Sequence, residues 1–162
     1  MPEDNKSTPE PAKVMKHVQW YSEYYTAVTG NTAGPEDLIA MSEAVYNFQR
    51  IFNLKMGYGT REHDWIPYRA VGPVTVEEYE SRSDRYDGQL SEKYAVDIEG
   101  KDTAEKVALL RTFRENQYEK LKDAVYKRRG WTQNGIPTVE TVKKLGIDFP
   151  EVLEVLKANG VE

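Results

Sequence analysis

The stretch DTAEKVALLRTFRENQYEKLKDAVYKRRG, residues 102–130, decides the fold class of this chain. Asp102 and Glu105 form a D-x-x-E capping box, the signature of a helix start. Val107, Leu110, Phe113, Leu121 and Val125 recur at helical spacing and predict one apolar face running to Arg129. Lys127, Arg128 and Arg129 occupy the last turn, where cations oppose the negative end of the helix dipole. Gly130 supplies the stop. No internal repeat and no strand pair with a hairpin signal accompanies this helix, so the expected class is all-α.

The same punctuation extends upstream. Val14, Val18, Tyr21, Tyr25 and Val28 fall at spacings of three and four, and Gly30 is placed to close that helix. After the NTAG turn, Pro35 suits a first helical turn, and Glu36 and Asp37 suit the positive helix end. Leu38, Met41, Val45, Phe48 and Phe52 predict one apolar face of a long helix reaching about Leu54. From Gly57 to about Thr75 the periodicity fails: GYGTREHDWIPYRAVGP reads as one long irregular loop, a kind that usually functions or docks. The following VEEYESRSDRYDG reads as one weak helix with few apolar positions.

Downstream, RRGWTQNGIPTVETVKKLG, residues 128–146, reads as a helix stop and a restart. Gly130 ends one helix, Trp131 plugs the corner, Asn134–Gly135 turns the chain, and Pro137 stiffens the approach. Thr138 caps the next helix, which Gly146 ends. A last short helix runs from Pro150 to Ala158. The expected organisation is a lead-in over residues 1–11 that is not ordered, then one helical domain over 12–162, a C-terminal portion of a larger enzyme.

Composition removes several functions. The net charge of −5 disfavours nonspecific binding of nucleic acid, which runs on dense cationic surface. There is no cysteine, so thiolate zinc, an iron–sulfur cluster held by this chain and a cysteine nucleophile are excluded. That is compatible with a reducing cytoplasm, the compartment expected here. No segment approaches the roughly 20 apolar residues of a membrane span.

Candidate chemistry is sparse. His17 sits on the first helix with Glu23 the nearest acid, and reads as an edge residue. Glu62, His63 and Asp64 group imidazole with carboxylates, but neighbours on a loop rarely point at one metal, and no second histidine has ligand spacing. The better expectation is structural: Arg61 pairs with Asp64 across the loop, and Asp64 accepts backbone N–H bonds. The glycines of MGYGT lack a phosphate-loop pattern, and no nucleophile elbow or H-E-x-x-H motif occurs. The cluster before Gly130 with Trp131 could suggest RNA, but the helix-end explanation is simpler.

The two odd segments share one resemblance. EAVYNFQRIFNLKMGYGTREHDWIPYR, residues 43–69, resembles a phrase found late in the tungsten-dependent aldehyde:ferredoxin oxidoreductase family. There a helix ends in Y/I-N-x-x-R-x-F-N, then comes a glycine and an R-x-x-D-x-x-P-x-R loop. Here these are Tyr46, Asn47, Arg50, Phe52 and Asn53, then Gly57, then Arg61, Asp64, Pro67 and Arg69. Thr29–Gly30 resembles the family's preceding helix end. The family's R-G-W-D-x-x-G-x-P-T phrase is matched by Arg129, Gly130, Trp131, Gly135, Pro137 and Thr138, with Tyr126 before it and Leu145–Gly146 after. Thr132 stands where the family usually has aspartate, and residues 74–100 do not align. Those departures resemble a branch away from the best-known aldehyde oxidases, such as the tungsten-containing aromatic acyl-CoA reductase subunits.

The resemblance implies a large enzyme whose N-terminal domain binds a tungsten bis-pterin, followed by two all-helical domains. It implies a 4Fe-4S cluster held by four cysteines of the middle and last domains. The matching part corresponds to the end of the last domain, and the family's pterin-contacting D-x-x-G-x-C phrase has no match here. No catalytic residue carries over. The implied role is to wall the cofactor site and shape a substrate channel through the loop from Gly57 to Gly72. Its implied partners are upstream domains of the same polypeptide, and ferredoxin or another electron-transfer subunit. The rival readings are a free-standing helical interaction module and a small enzyme using His63 and Asp64.

Overall fold

The computed structural model describes residues 16–162, with side chains from residue 19 onward. The expected lead-in over residues 1–11 and the apolar positions Val14 and Val18 lie outside the described residues or side chains; the backbone of His17 is helical. The chain is all-α, and the described residues form seven α-helices: α1 (Lys16–Thr29), α2 (Pro35–Lys55), α3 (Val76–Glu80), α4 (Ser83–Gly88), α5 (Thr103–Arg129), α6 (Val139–Lys144) and α7 (Pro150–Ala158). No strand occurs among the described residues. Nor is any helix there long and apolar enough to cross a membrane.

Two compact units are formed, one by the described residues up to Tyr58 together with Pro137–Glu162, the other by Gly59–Ile136. In the first, α2 packs against both α1 and α7. Asp37 accepts the Gly34 N–H at 2.8 Å and fixes the start of α2. At its end, Gly57 takes φ 84°. Its N–H reaches the Leu54 carbonyl at 3.0 Å, and the Tyr58 N–H reaches Asn53 at 2.9 Å. These are the paired bonds of a Schellman closure, which needs a left-handed residue at that place. Ser22 is buried and its hydroxyl donates to the carbonyl of Ala33, tying α1 to the α1–α2 turn.

The expected apolar faces of α1 and α2 are not the buried ones. On α2, Ile51 (3% exposed), Leu54 and Asn47 are buried. Of the stripe the sequence predicted as core, Leu38 is half-buried, while Met41, Val45, Phe48 and Phe52 (57% exposed) lie open. On α1, Tyr21 is 69% and Val28 85% exposed, while Ser22 is buried and Tyr25 half-buried. Periodicity finds apolar stripes but not what covers them. A helix apolar on more than one side is built for the inside of a larger body.

In the second unit, α5 is the spine. Tyr79, Tyr86, Leu90 and Leu110 form its core, flanked by Val107 and Phe113. The region expected to be one weak helix is instead α3, α4 and a π-helical turn over Gln89–Lys93. Its tyrosines are the core. Tyr79, 1% exposed, donates from its hydroxyl to Asp87 at 2.7 Å, and Asp87 also accepts from Lys106 at 3.0 Å. Burial and the Asp87 carboxylate push the Tyr79 hydroxyl far above its ordinary pKa. A tyrosine buries fully once its hydroxyl has such a partner.

Candidate functional site: the loop clamped onto α5

The long loop between Gly59 and Pro73 has only two short 3-10 turns, Arg61–His63 and Tyr68–Val71. Little of its backbone is satisfied within the loop, so its polar groups need partners elsewhere. The second unit supplies them from one side of α5, where buried and half-buried residues recur at Arg111, Arg114, Tyr118, Lys122 and Tyr126.

At its start, the Arg61 guanidinium donates to Glu119 at 2.5 Å, to Asp123 at 2.6 Å and to the Gln133 carbonyl at 3.1 Å. The Arg61 N–H donates to the Asn134 carbonyl at 2.9 Å. Arg61 therefore ties the loop to both α5 and the 132–135 turn. Hydrogen bonds to Glu119, then to Asp123, hold its guanidinium above its ordinary pKa. Glu119 also accepts from Lys122 at 2.6 Å, and this bond first, then Arg61, holds its carboxyl below the ordinary value. Lys122 is buried, its ammonium 5.2 Å from the centre of the Trp65 ring and 5.5 Å from that of Tyr118.

Arg61, expected to pair with Asp64, turns to the helix, where a planar fork serves two carboxylates at once. Asp64 accepts the Tyr126 hydroxyl at 2.5 Å.

The loop's second half is held through its main chain. Arg111, buried, donates to the carbonyls of Tyr68 at 2.9 Å, Pro73 at 3.2 Å and Gly72 at 3.4 Å, and stacks 3.6 Å beneath the Tyr68 ring. Arg114 donates to the Val71 carbonyl at 3.2 Å and to the Gln89 side chain at 2.7 Å. Pro67 starts the second turn, its carbonyl accepting from Ala70 at 2.8 Å. Arg69 points outward onto Glu78 at 3.1 Å. Against this fixed backbone Trp65 and Tyr68 are exposed.

The corner after α5 repeats the glycine closure. Gly130 has φ 67°, its N–H reaches Lys127 at 3.3 Å, and the Trp131 N–H reaches Tyr126 at 2.9 Å. Trp131, buried, lies with its ring centre 5.8 Å from that of Tyr126, the apolar contact that accompanies such a cap. Thr132, Gly135 and Ile136 close the next turn: Gly135 N–H to Thr132 carbonyl at 2.9 Å, Ile136 N–H to the Thr132 hydroxyl at 3.2 Å. Thr138 caps α6 by accepting the Thr141 N–H at 3.2 Å, and Pro137 is buried.

The second unit thus gathers Arg61, Asp64, Pro67, Arg69, Gly130, Trp131 and Gly135 around α5, while Asn53, Gly57 and Pro137 belong to the first. Reading α5 for apolar residues alone misses Arg111, Arg114, Glu119, Lys122 and Asp123. Leu121, 57% exposed, and Val125 turn outward, contrary to the expected face. The available signal was long side chains at steps of three and four residues from Arg111 to Tyr126, each with an aliphatic or aromatic body that tolerates burial.

A family model described as aldehyde ferredoxin oxidoreductase, domains 2 and 3, matches residues 6–147. The chain belongs to this family. No curated protein and no solved structure gives a significant match. In this chain, Thr132 occupies the position where the resemblance expects aspartate. Its hydroxyl accepts the Ile136 N–H, a bond that a carboxylate there could also accept. The residues present do not fit an iron–sulfur cluster or a protein-ligated metal ion. An iron–sulfur cluster takes cysteine thiolates, and the chain has none. Among the described residues no group of three or more histidine, aspartate or glutamate side chains is arranged to hold a metal ion.

Proposed function

We propose that this chain is the helical C-terminal part of a tungsten-pterin, iron–sulfur oxidoreductase. The parent enzyme acts on aldehydes or related acyl or oxo substrates and exchanges electrons with ferredoxin or another electron-transfer subunit. The observation that carries the reading is the family match over residues 6–147. The chain's own part is architectural. Its loop between Gly57 and Gly72 is the segment we assign to the wall of the substrate channel, and the clamp onto α5 supports this. Arg61 anchors the loop's start on α5, and Arg111 and Arg114 hold its backbone, while Trp65 and Tyr68 stay exposed. Walls of a site work when their positions are set before the ligand arrives. The iron–sulfur cluster is carried by the rest of the parent enzyme, since this chain offers no thiolate to hold it, and we assign tungsten and pterin to the same upstream part.

The test is native capture from the source with an antibody to this chain, followed by subunit mass and metal analysis. Tungsten and iron in an assembly several times larger than this chain are expected. A metal-free protein of this size would overturn the oxidoreductase reading. It would leave the free-standing helical interaction module, which the open stripes on α1 and α2 would then serve.

A further inference from the structure

We infer that Asn134 is a modification site, open to deamidation through a cyclic imide, and that the Arg61 clamp holds the rate of that reaction down. An asparagine followed by glycine favours the reaction, because glycine has no Cβ to hinder attack by its own backbone nitrogen. The chain has two such dipeptides, Asn134–Gly135 and Asn159–Gly160. The chemistry needs no outside reactant but water. The Gly135 nitrogen bonds to Asn134 Cγ, the Cγ–Nδ2 bond breaks, and the amide proton leaves with Nδ2 as ammonia. Water then opens the imide at one of its two carbonyls, giving aspartate or isoaspartate at position 134.

Asn134 is exposed, so water and base reach its carboxamide. What opposes ring closure is the backbone around it. Gly135 is buried, and its N–H is committed to the Thr132 carbonyl at 2.9 Å. Arg61 holds the other side of the turn from 73 positions away. Its N–H donates to the Asn134 carbonyl at 2.9 Å and leans on the side-chain Oδ1 at 3.4 Å, while Nη1 reaches the Gln133 carbonyl at 3.1 Å. Closure must swing Cγ onto the Gly135 nitrogen and free that nitrogen's proton, and these bonds resist both movements.

Asn159 is the internal comparison. It is half-buried at the end of α7, where its Nδ2 donates to the Val155 carbonyl at 2.8 Å and the Gly160 N–H donates to the Lys157 carbonyl at 3.0 Å. Those restraints come from its own helix and owe nothing to Arg61. At Asn134 the restraint is the clamp itself. Isoaspartate there would route the main chain through an added methylene and displace the carbonyl that receives the Arg61 N–H. Clamp and modification therefore oppose one another, and the reaction records how often the start of the loop lets go of the turn.

The experiment ages the full protein at mildly alkaline pH and follows both asparagines by peptide mapping in a mass spectrometer. It is run beside Arg61→Ala and beside Asp123→Ala, which removes one arm of the clamp at an exposed position. Conversion at Asn134 is expected to be slow in the unaltered protein, several-fold faster in Arg61→Ala and intermediate in Asp123→Ala, with Asn159 unchanged throughout. Equal rates at Asn134 in all three proteins would overturn the control by Arg61, and no conversion there in any of them would overturn the site. Where Arg61→Ala speeds both asparagines together through loss of the fold, Asp123→Ala decides. A rise confined to Asn134 upholds the inference, and no such rise overturns it.

Discussion

Tyr126 of α5 donates its hydroxyl to Asp64 at 2.5 Å, joining loop and helix across 62 positions of sequence. The bond is charge-assisted and partly buried, the class that is strongest. It also spans the two segments in which the family resemblance was read, since Asp64 belongs to the first phrase and Tyr126 opens the second.

Removing Asp64 tests that link. Asp64→Ala should cost about 1–3 kcal/mol, because a buried hydroxyl loses its acceptor. Chemical denaturation of the wild type, the two single variants and the Asp64→Ala/Tyr126→Phe double variant would give the coupling. A change within about 0.5 kcal/mol for Asp64→Ala would make the residue an ordinary surface position.

Arg61 has two carboxylates and a carbonyl on one guanidinium. Lysine keeps the charge but cannot present a fork. Arg61→Lys should therefore lose most of what Arg61→Ala loses, about 1–2 kcal/mol after allowing for partial exposure. Full retention of stability in the lysine variant would show that only the charge matters.

At the corner, Trp131→Ala should cost about 3–5 kcal/mol as a buried indole is removed. Gly130→Ala should cost about 1–2 kcal/mol, since an L side chain is strained at φ 67°. Thermal unfolding of the two variants should rank tryptophan above glycine.

The two sides of α2 should separate cleanly. Ile51→Ala is expected to cost about 2–5 kcal/mol, and Phe52→Ser within about 0.5 kcal/mol, in the chain unfolded on its own. The reverse order would restore the face that periodicity marked.

Acid should loosen the clamp. Glu119 is held below its ordinary 4.5 by Lys122 and Arg61. Asp87 is also lowered: burial works upward, but bonds from Tyr79 and Lys106 outweigh it. A carboxylate with a depressed folded pKa contributes stability present above its unfolded value and lost as pH falls through the folded one. Stability should thus be level near neutrality and decline below about pH 4.5. Replacing Glu119 with Gln should shrink that decline, and an unchanged profile would remove Glu119 from the account.

Helix ends were the most legible feature. Gly30, Gly130 and Gly146 each stop a helix where the sequence placed the stop, because a left-handed backbone residue leaves a local mark. Faces were less legible. Val45 and Phe52 have core spacing, yet their cover is not in this chain's described part. Tyr79 and Tyr86 gave no core signal, because their burial depends on Asp87 and Arg114, partners chosen by tertiary structure. The loop's clamp was illegible for the same reason: Arg111 acts on carbonyls, which every residue has.

That last property bears on how the loop can change. Arg111 and Arg114 grip peptide oxygens rather than side chains, so the path from Tyr68 to Pro73 is encoded on the helix and not in the loop's own letters. Substitutions in this segment can alter what it presents without altering where it runs. Gly72 is an exception, since a Cβ there would lie 3.2 Å from Arg114 Nη1. Variation along the rest of the segment is a route to new surface chemistry on an inherited scaffold, and a substitution library over Trp65–Ala70 would be the place to look for it.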